Sequence, residues 1–424
     1  MTDRPSISVV LPTRNRGRLL PLAIRSVLDQ DIPDLELIIS DNFSSDETPD
    51  IAQSFDDPRV KYFRSDRPLS MGDSYEFALG HARGEYINFH ADDDAFAPGV
   101  YKRVLGIAKE NNADVTAFRS AIYYHEDDFA FNRLVPAGSL AIPRPTGEVT
   151  KYTSDEALNL FLQHHGLLTG GSDPRFILAY LHNALYHHTV FERLRKVSDH
   201  LFALTPGDIY LATAVFFVID EYYCLDEPYV VWSSWTENST ASPYKKKEAY
   251  RQHYEKLLAG DRLKNTPLKY PLPQNCTVNA ILQAKYDFDL QDDFKIDWAR
   301  YFINAYDLLM DVRNAGVNVD SEKKEFDRVL GEQPVEIRSA VRGELSSVGF
   351  RGRQLVRRSQ SLVRLAKRLM QRNSGHKYDF LDGNKMGFSN VLEAAQALAK
   401  YTLKELGSKD GTDEWVTISG EFDG

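Results

Sequence analysis

The chain has 424 residues, 42% of them hydrophobic and 26% charged, which calls for more than one core and is ordinary for a globular protein. With 51 Lys and Arg against 61 Asp and Glu, its formal charge of −10 argues against a surface built as a whole for nucleic acid. Ile7-Ser8-Val9-Val10-Leu11, ended by Pro12, is a short β-branched run that predicts a buried parallel strand. Residues 18–30 place Leu19, Leu22, Ala23, Val27 and Leu28 on one helical stripe. Residues 35–40 predict a second strand, closed by the polar loop 41–48, and residues 60–63 a third. A helix is expected over 74–83, punctuated by Gly84, and a fourth strand over 85–90 runs into Asp92-Asp93-Asp94.

Alternating strands and helices predict an α/β unit with a parallel sheet, in which ligands sit beyond the carboxyl ends of the strands. Asp41 and the acidic triplet both fall at such ends, so the sheet brings them together. Residues 115–118 predict another strand, followed by an irregular stretch to about residue 150. Helical patterns then cover 155–164 and 177–197, and resume after Pro206-Gly207-Asp208, with a strand at 222–225. Lys245-Lys246-Lys247-Glu248 opens a further helix, Pro267, Pro271 and Pro273 interrupt the chain, and helices are expected over 294–315 and 389–406. The expected division is a sheet domain over 1–243 and a mostly helical C-terminal region over 244–424.

Three adjacent carboxylates repel one another, so a counter-charge is expected beside Asp92-Asp93-Asp94. Mg²⁺ or Mn²⁺ bridging two phosphates would supply it, since these hard cations take one or two carboxylates plus substrate phosphates. A solvated acidic loop that caps the next helix is the other reading.

Resemblance adds to this pattern. Ser8-Val9-Val10-Leu11-Pro12-Thr13-Arg14-Asn15-Arg16 resembles the opening strand of family 2 glycosyltransferases, often VSVVIPTYNR. The segment from Leu37 through Asp41-Asn42-Phe43-Ser44-Ser45-Asp46-Glu47-Thr48 is similar to that family's IVVDDGSTDGT. Ala82-Arg83-Gly84-Glu85-Tyr86-Ile87, with Phe89-His90-Ala91-Asp92-Asp93-Asp94 and Pro98-Gly99, resembles A-x-G-E-Y-I and F-L-D-S-D-D-x-x-x-P-G. The resemblance implies a GT-A type, Rossmann-like nucleotide-binding sheet domain and an inverting transfer from a nucleotide-sugar, a UDP-sugar first, to a saccharide or lipid-linked saccharide.

It also implies residue roles. Pro12, Thr13, Arg14 and Asn15 would lie along the donor, and Asp41 would accept a hydrogen bond from a base N–H. Asp92 would hold the ribose, Asp93 would ligate Mn²⁺ or Mg²⁺, and Asp94 would orient the metal shell or the acceptor side. Arg14 stands where the family often has Tyr, Ala91 where it has the leading Asp, and Asp73 where many members have Asn. An inverting enzyme needs a base for the acceptor hydroxyl. Thr205-Pro206-Gly207-Asp208-Ile209 matches the family's helix-start context for it, which nominates Asp208; an Asp there also suits a plain N-terminal charge or cap.

Asp220, Glu221, Asp226 and Glu227 flank the strand at 222–225 and read as structural. The pairs His164-His165 and His187-His188 lack a third ligand at metal spacing, which points to packing or acceptor-side roles. Trp232, Trp235, Asn238 and Ser239 suit a sugar-facing cluster or a core. Residues 351–372 carry eight Arg and Lys without an acidic residue and recur in Leu at helical spacing. They read as a basic amphipathic helix, lying either on an anionic bilayer or on the catalytic domain; no nucleic-acid module is recognised.

Cys224 and Cys276 lack ligand spacing, so a reducing compartment is expected. No run approaches the roughly 18 apolar residues that span a bilayer. Met1-Thr2-Asp3-Arg4 leads straight into a strand pattern, so a cytoplasmic protein, peripheral at the inner face of the membrane if bound there, is expected. Sugar nucleotidyltransferases and dinucleotide oxidoreductases fit poorly, because the first turn has a single glycine, Gly17, and no G-x-G-x-x-G. A catalytically silent sheet domain serving as a membrane or complex adaptor is the alternative from another class.

Overall fold

The computed structural model describes residues 4–125, 138–170, 173–202, 206–234, 263–270, 272–288, 296–314, 317–350, 352 and 378–410. Its centre is a mixed sheet of eleven strands. These are β1 (Ile7–Thr13), β2 (Leu35–Asp41), β3 (Val60–Arg64), β4 (Tyr86–Phe89), β5 (Ala95–Phe96), β6 (Val115–Tyr124), β7 (Ser139–Pro143), β8 (Val149–Thr153), β9 (Ala184–His187), β10 (Glu221–Ser234) and β11 (Tyr378–Asp382). The main path runs β11-β7-β6-β9-β4-β1-β2-β3, and β10 branches from it to pair with β5, β6 and β8.

The first four strands form the expected parallel unit, with β1 central between β2 and β4. The apolar residues of β1, β2 and β4 are buried on both faces, because alternate side chains point to opposite sides, while those of edge strand β3 are half-buried. On β1, Val10 joins one core, while Ile7, Val9 and Leu11 join the other. On β2, Ile38 faces the first core, and Leu35, Leu37 and Ile39 face the second.

Three sequence expectations are corrected. Residues 177–197 are not one helix, because Ala184–His187 is β9, wedged antiparallel between β4 and β6, and only His188–Arg195 is helical. A short apolar run has no period that separates strand from helix, and the pairing of Tyr186 with Val115 and Ile87 decides it. The irregular stretch after residue 118 holds the rest of β6, then β7 and β8, so the sheet is mixed beyond its first four strands. The helix expected over 74–83 is Met71–Leu79, whose start is set by Ser70, its hydroxyl accepting the Asp73 N–H at 3.2 Å.

Gly84 is where the chain has no room for a side chain. An added Cβ would lie 2.4 Å from the Ser8 nitrogen and 2.7 Å from the Tyr86 oxygen. Both are backbone atoms of paired strands and cannot swing aside. Gly84→Ala is therefore expected to cost about 3 kcal/mol of unfolding free energy, at the upper end of ordinary overpacking. A chemical-denaturation midpoint equal to wild type would show that β1 and β4 separate freely at this point.

Beyond residue 243 the described chain is mostly helical. Pro273–Asp287, Trp298–Asn314 and Asp320–Gly331 share one core with Gly207–Val215. Val391–Asp410 lies on the opposite face, packed with Leu20–Leu28 and β10. The C-terminal region also contributes β11, antiparallel to β7. The basic segment 351–372 lies outside the described residues apart from Gly352, and so does Lys245-Lys246-Lys247-Glu248. Among the described residues no helix is long and apolar enough to cross a membrane.

Candidate functional site

The parallel register brings the carboxyl ends of β1, β2, β3 and β4 into one row. Thr13 lies opposite Asp41, and Asp41 opposite Arg64. Past β4, the His90 N–H donates to the Val10 carbonyl at 2.8 Å, which carries the chain to the triplet beside β1. The Thr13 hydroxyl donates to Asp92 at 2.7 Å, and the Arg16 guanidinium stands 4.0 Å from the same carboxylate. From the other side, the Ser233 N–H of β10 donates to Asp94 at 2.8 Å, and the Ser233 hydroxyl donates to the Asp93 carbonyl.

The triplet is thus pinned at both flanks, while its middle carboxylate is open. No hydrogen bond or ion pair from another side chain reaches the Asp93 carboxylate among the described residues. Burial, and then the Asp93 charge, pushes Asp92 up to about 7; the same two causes raise Asp94 well above the carboxylate range. Burial raises Asp93 as well, and Arg16 partly offsets it. Three crowded acids with one nearby guanidinium lack positive charge, and a divalent cation on the open Asp93 carboxylate would supply it. Among the described residues no group of three or more His, Cys, Asp or Glu could enclose a metal alone. Carboxylate oxygens are the donor type that Mg²⁺ and Mn²⁺ take alongside substrate phosphates.

Asp208 opens the helix Gly207–Val215, with its Oδ1 accepting the Ile209 N–H at 2.9 Å, and burial raises its pKa. Tyr75 joins the two acidic elements. Its phenol is pushed well up by burial, then by Asp208, then by Asp92, Asp93 and Asp94, so it lies within electrostatic reach of both. Its ring is held against Phe202 at 5.2 Å and Phe89 at 5.8 Å. Tyr180 is raised to about 12 by burial and by Asp208, and its ring meets Trp232 edge-on at 5.9 Å. The Trp232 indole N–H is buried and has no partner among the described residues, near the end of β10 next to Ser233.

Other expected residues are distributed differently. Pro12 is partly exposed, and Arg14 and Asn15 are exposed at the end of β1. Asn15 has a positive φ of 53° and accepts the Ser45 N–H at 2.8 Å, lacing the β1 loop to the β2 loop. Asp41 is fully buried, and its oxygens face the Ser44 N–H at 2.9 Å, the Tyr62 hydroxyl at 2.7 Å and Arg64 at 3.7 Å. These partners take most of a carboxylate's acceptor directions, so Asp41 is presented to the protein rather than to the open site. Asp226 pairs with Arg119, and Glu227 with Arg103 at 2.9 Å, inside the fold. His165 is lowered to about 3 by burial, consistent with packing. His187 lines a cavity of about 470 Å³ with Glu85, Lys109 and Asp114 at the amino end of β4, away from the triplet. Trp235, Asn238 and Ser239 lie outside the described residues.

Tyr75, Tyr62, Arg64, Ser233 and Tyr180 were not nominated from the sequence. Arg64 had a usable signal, since it directly follows the strand predicted over 60–63. Tyr75 and Ser233 had none, because only the packing of distant segments brings them to the triplet.

Comparison with known proteins bears on the same segment. Residues 8–166 match the family model described as Glycosyl transferase family 2. Over 114 residues the chain is 39% identical to the GalNAc(5)-diNAcBac-PP-undecaprenol beta-1,3-glucosyltransferase of Campylobacter jejuni, covering 26% of this chain and 37% of that protein. Over 111 residues it is 29% identical to the succinoglycan biosynthesis protein ExoO of Rhizobium meliloti, covering 26% and 32%. The matched segment thus spans about a third of these relatives' length. Among solved structures, TarS 1–349 of S. aureus in complex with UDP-GlcNAc aligns with 87% of this chain and 92% of its own, at 16% identity and a TM-score of 0.49.

Proposed function

We propose, from the premise that residues 8–166 are a family 2 glycosyltransferase domain, that the protein moves a sugar with inversion from a nucleotide-sugar to a hydroxyl of a saccharide acceptor. The observation that carries this reading is the Asp93 carboxylate, left without a side-chain partner among the described residues between two tethered acids; Asp208 at the start of Gly207–Val215 and the triplet both raise the Tyr75 phenol. Asp93 would hold Mn²⁺ or Mg²⁺, which when bound would neutralise the charge that develops on a departing diphosphate. Asp92, oriented by Thr13, holds the ribose; Asp94, oriented by Ser233, fixes the position of Asp93. Pro12, Arg14 and Asn15 line the nucleotide's path along the end of β1. Asp41 holds the loop after β2 and the guanidinium of Arg64 in place.

Asp208 takes the proton from the acceptor hydroxyl as that oxygen attacks the anomeric carbon and the bond to the diphosphate breaks. A carboxyl raised by burial is a better base than an ordinary exposed Asp, because its proton affinity is greater. The tethered acids and the stacked Tyr75 hold this geometry before the acceptor arrives, so attack is effectively intramolecular. UDP-sugars are the first donors to test. A lipid-linked acceptor is supported by the PP-undecaprenol in the name of the Campylobacter relative, and would place the enzyme in the cytoplasm at the inner face of the membrane.

Calorimetric titration with UDP is the direct test, and Mn²⁺ or Mg²⁺ is expected to tighten binding about tenfold or more, or 1.4 kcal/mol. Equal affinity with and without metal would remove the Asp93 assignment. For the basic segment 351–372, replacing its arginines is expected to abolish co-sedimentation with phosphatidylglycerol vesicles, since each basic residue near such a surface contributes about 1 kcal/mol. Unchanged sedimentation would remove the membrane contact.

A further inference from the structure

The Glu76 carboxylate, on the helix Met71–Leu79, grips a loop far away in sequence. It accepts the Leu201 N–H, the Phe202 N–H at 3.2 Å and the Arg195 guanidinium. Helix and loop approach so closely that Gly72 has no room for a side chain. An added Cβ would lie 2.2 Å from the Phe202 carbonyl oxygen, a backbone atom that cannot swing aside. The Phe202 ring is fixed as well, stacked on Tyr75 at 5.2 Å and edge-on to Phe89 at 5.7 Å. Phe202 in turn meets the start of the helix that carries Asp208: a Cβ on Gly207 would stand 3.4 Å from the Phe202 Cβ.

That helix start has no side-chain cap. Pro206 stands at the N-cap position and offers no oxygen to the first N–H groups of Gly207–Val215. Its placement therefore rests on packing, and Phe202 provides that packing on the side of Met71–Leu79. Elsewhere the helix is held by its buried apolar residues and by the Tyr210 hydroxyl, which donates to Asp287 at 2.7 Å. We propose that Glu76 is a positioning residue for the transfer step. By clamping Leu201 and Phe202 it fixes the first turn of Gly207–Val215, and with it the Asp208 carboxylate, for the acceptor hydroxyl. This rests on the reading of Asp208 as the base. The clamp is separate from the donor contacts, since Asp92 and Asp94 have their own tethers to Thr13 and Ser233. Loosening it shifts the base without releasing the nucleotide. The ion pair with Arg195, whose side chain is 39% exposed, adds little; the acceptor oxygens for the two backbone N–H groups carry the effect.

The test follows nucleoside diphosphate release by the full chain with Mn²⁺ from UDP-glucose, UDP-GlcNAc and GDP-mannose, with water as acceptor, and takes the donor that wild type turns over fastest. Glu76→Ala is expected to lower kcat about 10- to 100-fold, as a shift of roughly 1 Å in a reacting group does, with donor KM within about twofold of wild type. Glu76→Gln keeps an oxygen for the two N–H groups and is expected to turn over as wild type does. In the Asp208→Asn background Glu76→Ala is expected to add no further loss, because residues that act as one unit are not additive. Phe202→Leu keeps apolar bulk but loses the ring stacked on Tyr75, and it has the same expected result should Glu76→Ala not fold. Wild-type kcat in Glu76→Ala and Phe202→Leu overturns the clamp. So does a loss that multiplies with that of Asp208→Asn, or a Glu76→Gln as slow as Glu76→Ala. In these cases a slow Asp208→Asn leaves the base reading standing. Asp208→Asn at the wild-type rate overturns the base and the clamp together, and no release by wild type from any of the three donors overturns the transfer reading itself.

Discussion

Asp93→Asn is expected to abolish the metal-dependent part of donor binding, a loss of at least about 100-fold, since even changes outside the metal's direct ligands cost 10–100-fold. The substitution keeps size and removes only the charge. Asp92 and Asp94 retain their own tethers to Thr13 and Ser233, so the turn is expected to survive. Removing one of three crowded acids also relieves repulsion, and the melting temperature of the variant is expected to be level with wild type or higher. A gain in stability together with a loss of function separates a site from a structural salt bridge. Asp66→Asn, at a side chain 84% exposed on the surface, is the matched control and is expected to bind donor normally. Donor affinity in Asp93→Asn that still responds to Mn²⁺ as in wild type would contradict the assignment.

Asp208→Asn is expected to separate binding from chemistry. A general base contributes about 10²–10⁴-fold, so transfer should fall by that factor while donor affinity stays near wild type. The competing role, a negative charge in the first turn of Gly207–Val215, makes a different forecast. As a helix-end charge, Asp208 is worth about 0.3–1 kcal/mol of stability, and its loss would leave the rate per folded molecule unchanged. Equal loss of donor binding and transfer would reject both and assign Asp208 to the donor pocket.

The parallel β1–β4 unit and its carboxyl-end row were legible because each strand is a short apolar run ended by a polar loop. Thr13 and the triplet lie where that rule puts them. What the sequence obscured is carried by long-range pairing. Residues 184–187 read as helix because four apolar and polar positions have no period of their own, and only β4 and β6 on either side make them a strand. The β11 return from residue 378 to pair with β7 has no local signal either. Asp41 illustrates a subtler limit. Its place at a strand end is as expected, but the neighbours that bury it, Tyr62 and Arg64, come from β3, and only the register of β2 with β3 turns the carboxylate inward. The Tyr75 phenol is raised by both Asp208 and the triplet, while Met71–Leu79, which carries it, packs on β1 and β2, so the relation between Tyr75 and Asp208 spans more than a hundred residues.

The central claim is that this acidic row serves transfer from a nucleotide-sugar. It is tested most directly by incubating the full chain with a panel of UDP-, GDP- and other nucleotide-sugars and following release of nucleoside diphosphate with Mn²⁺, with Mg²⁺ and with a chelator. Release from at least one donor is predicted, lost with the chelator, restored by metal, and slowed about 10²–10⁴-fold in Asp208→Asn. A protein that neither binds nor turns over any nucleotide-sugar, with or without metal, would contradict the account.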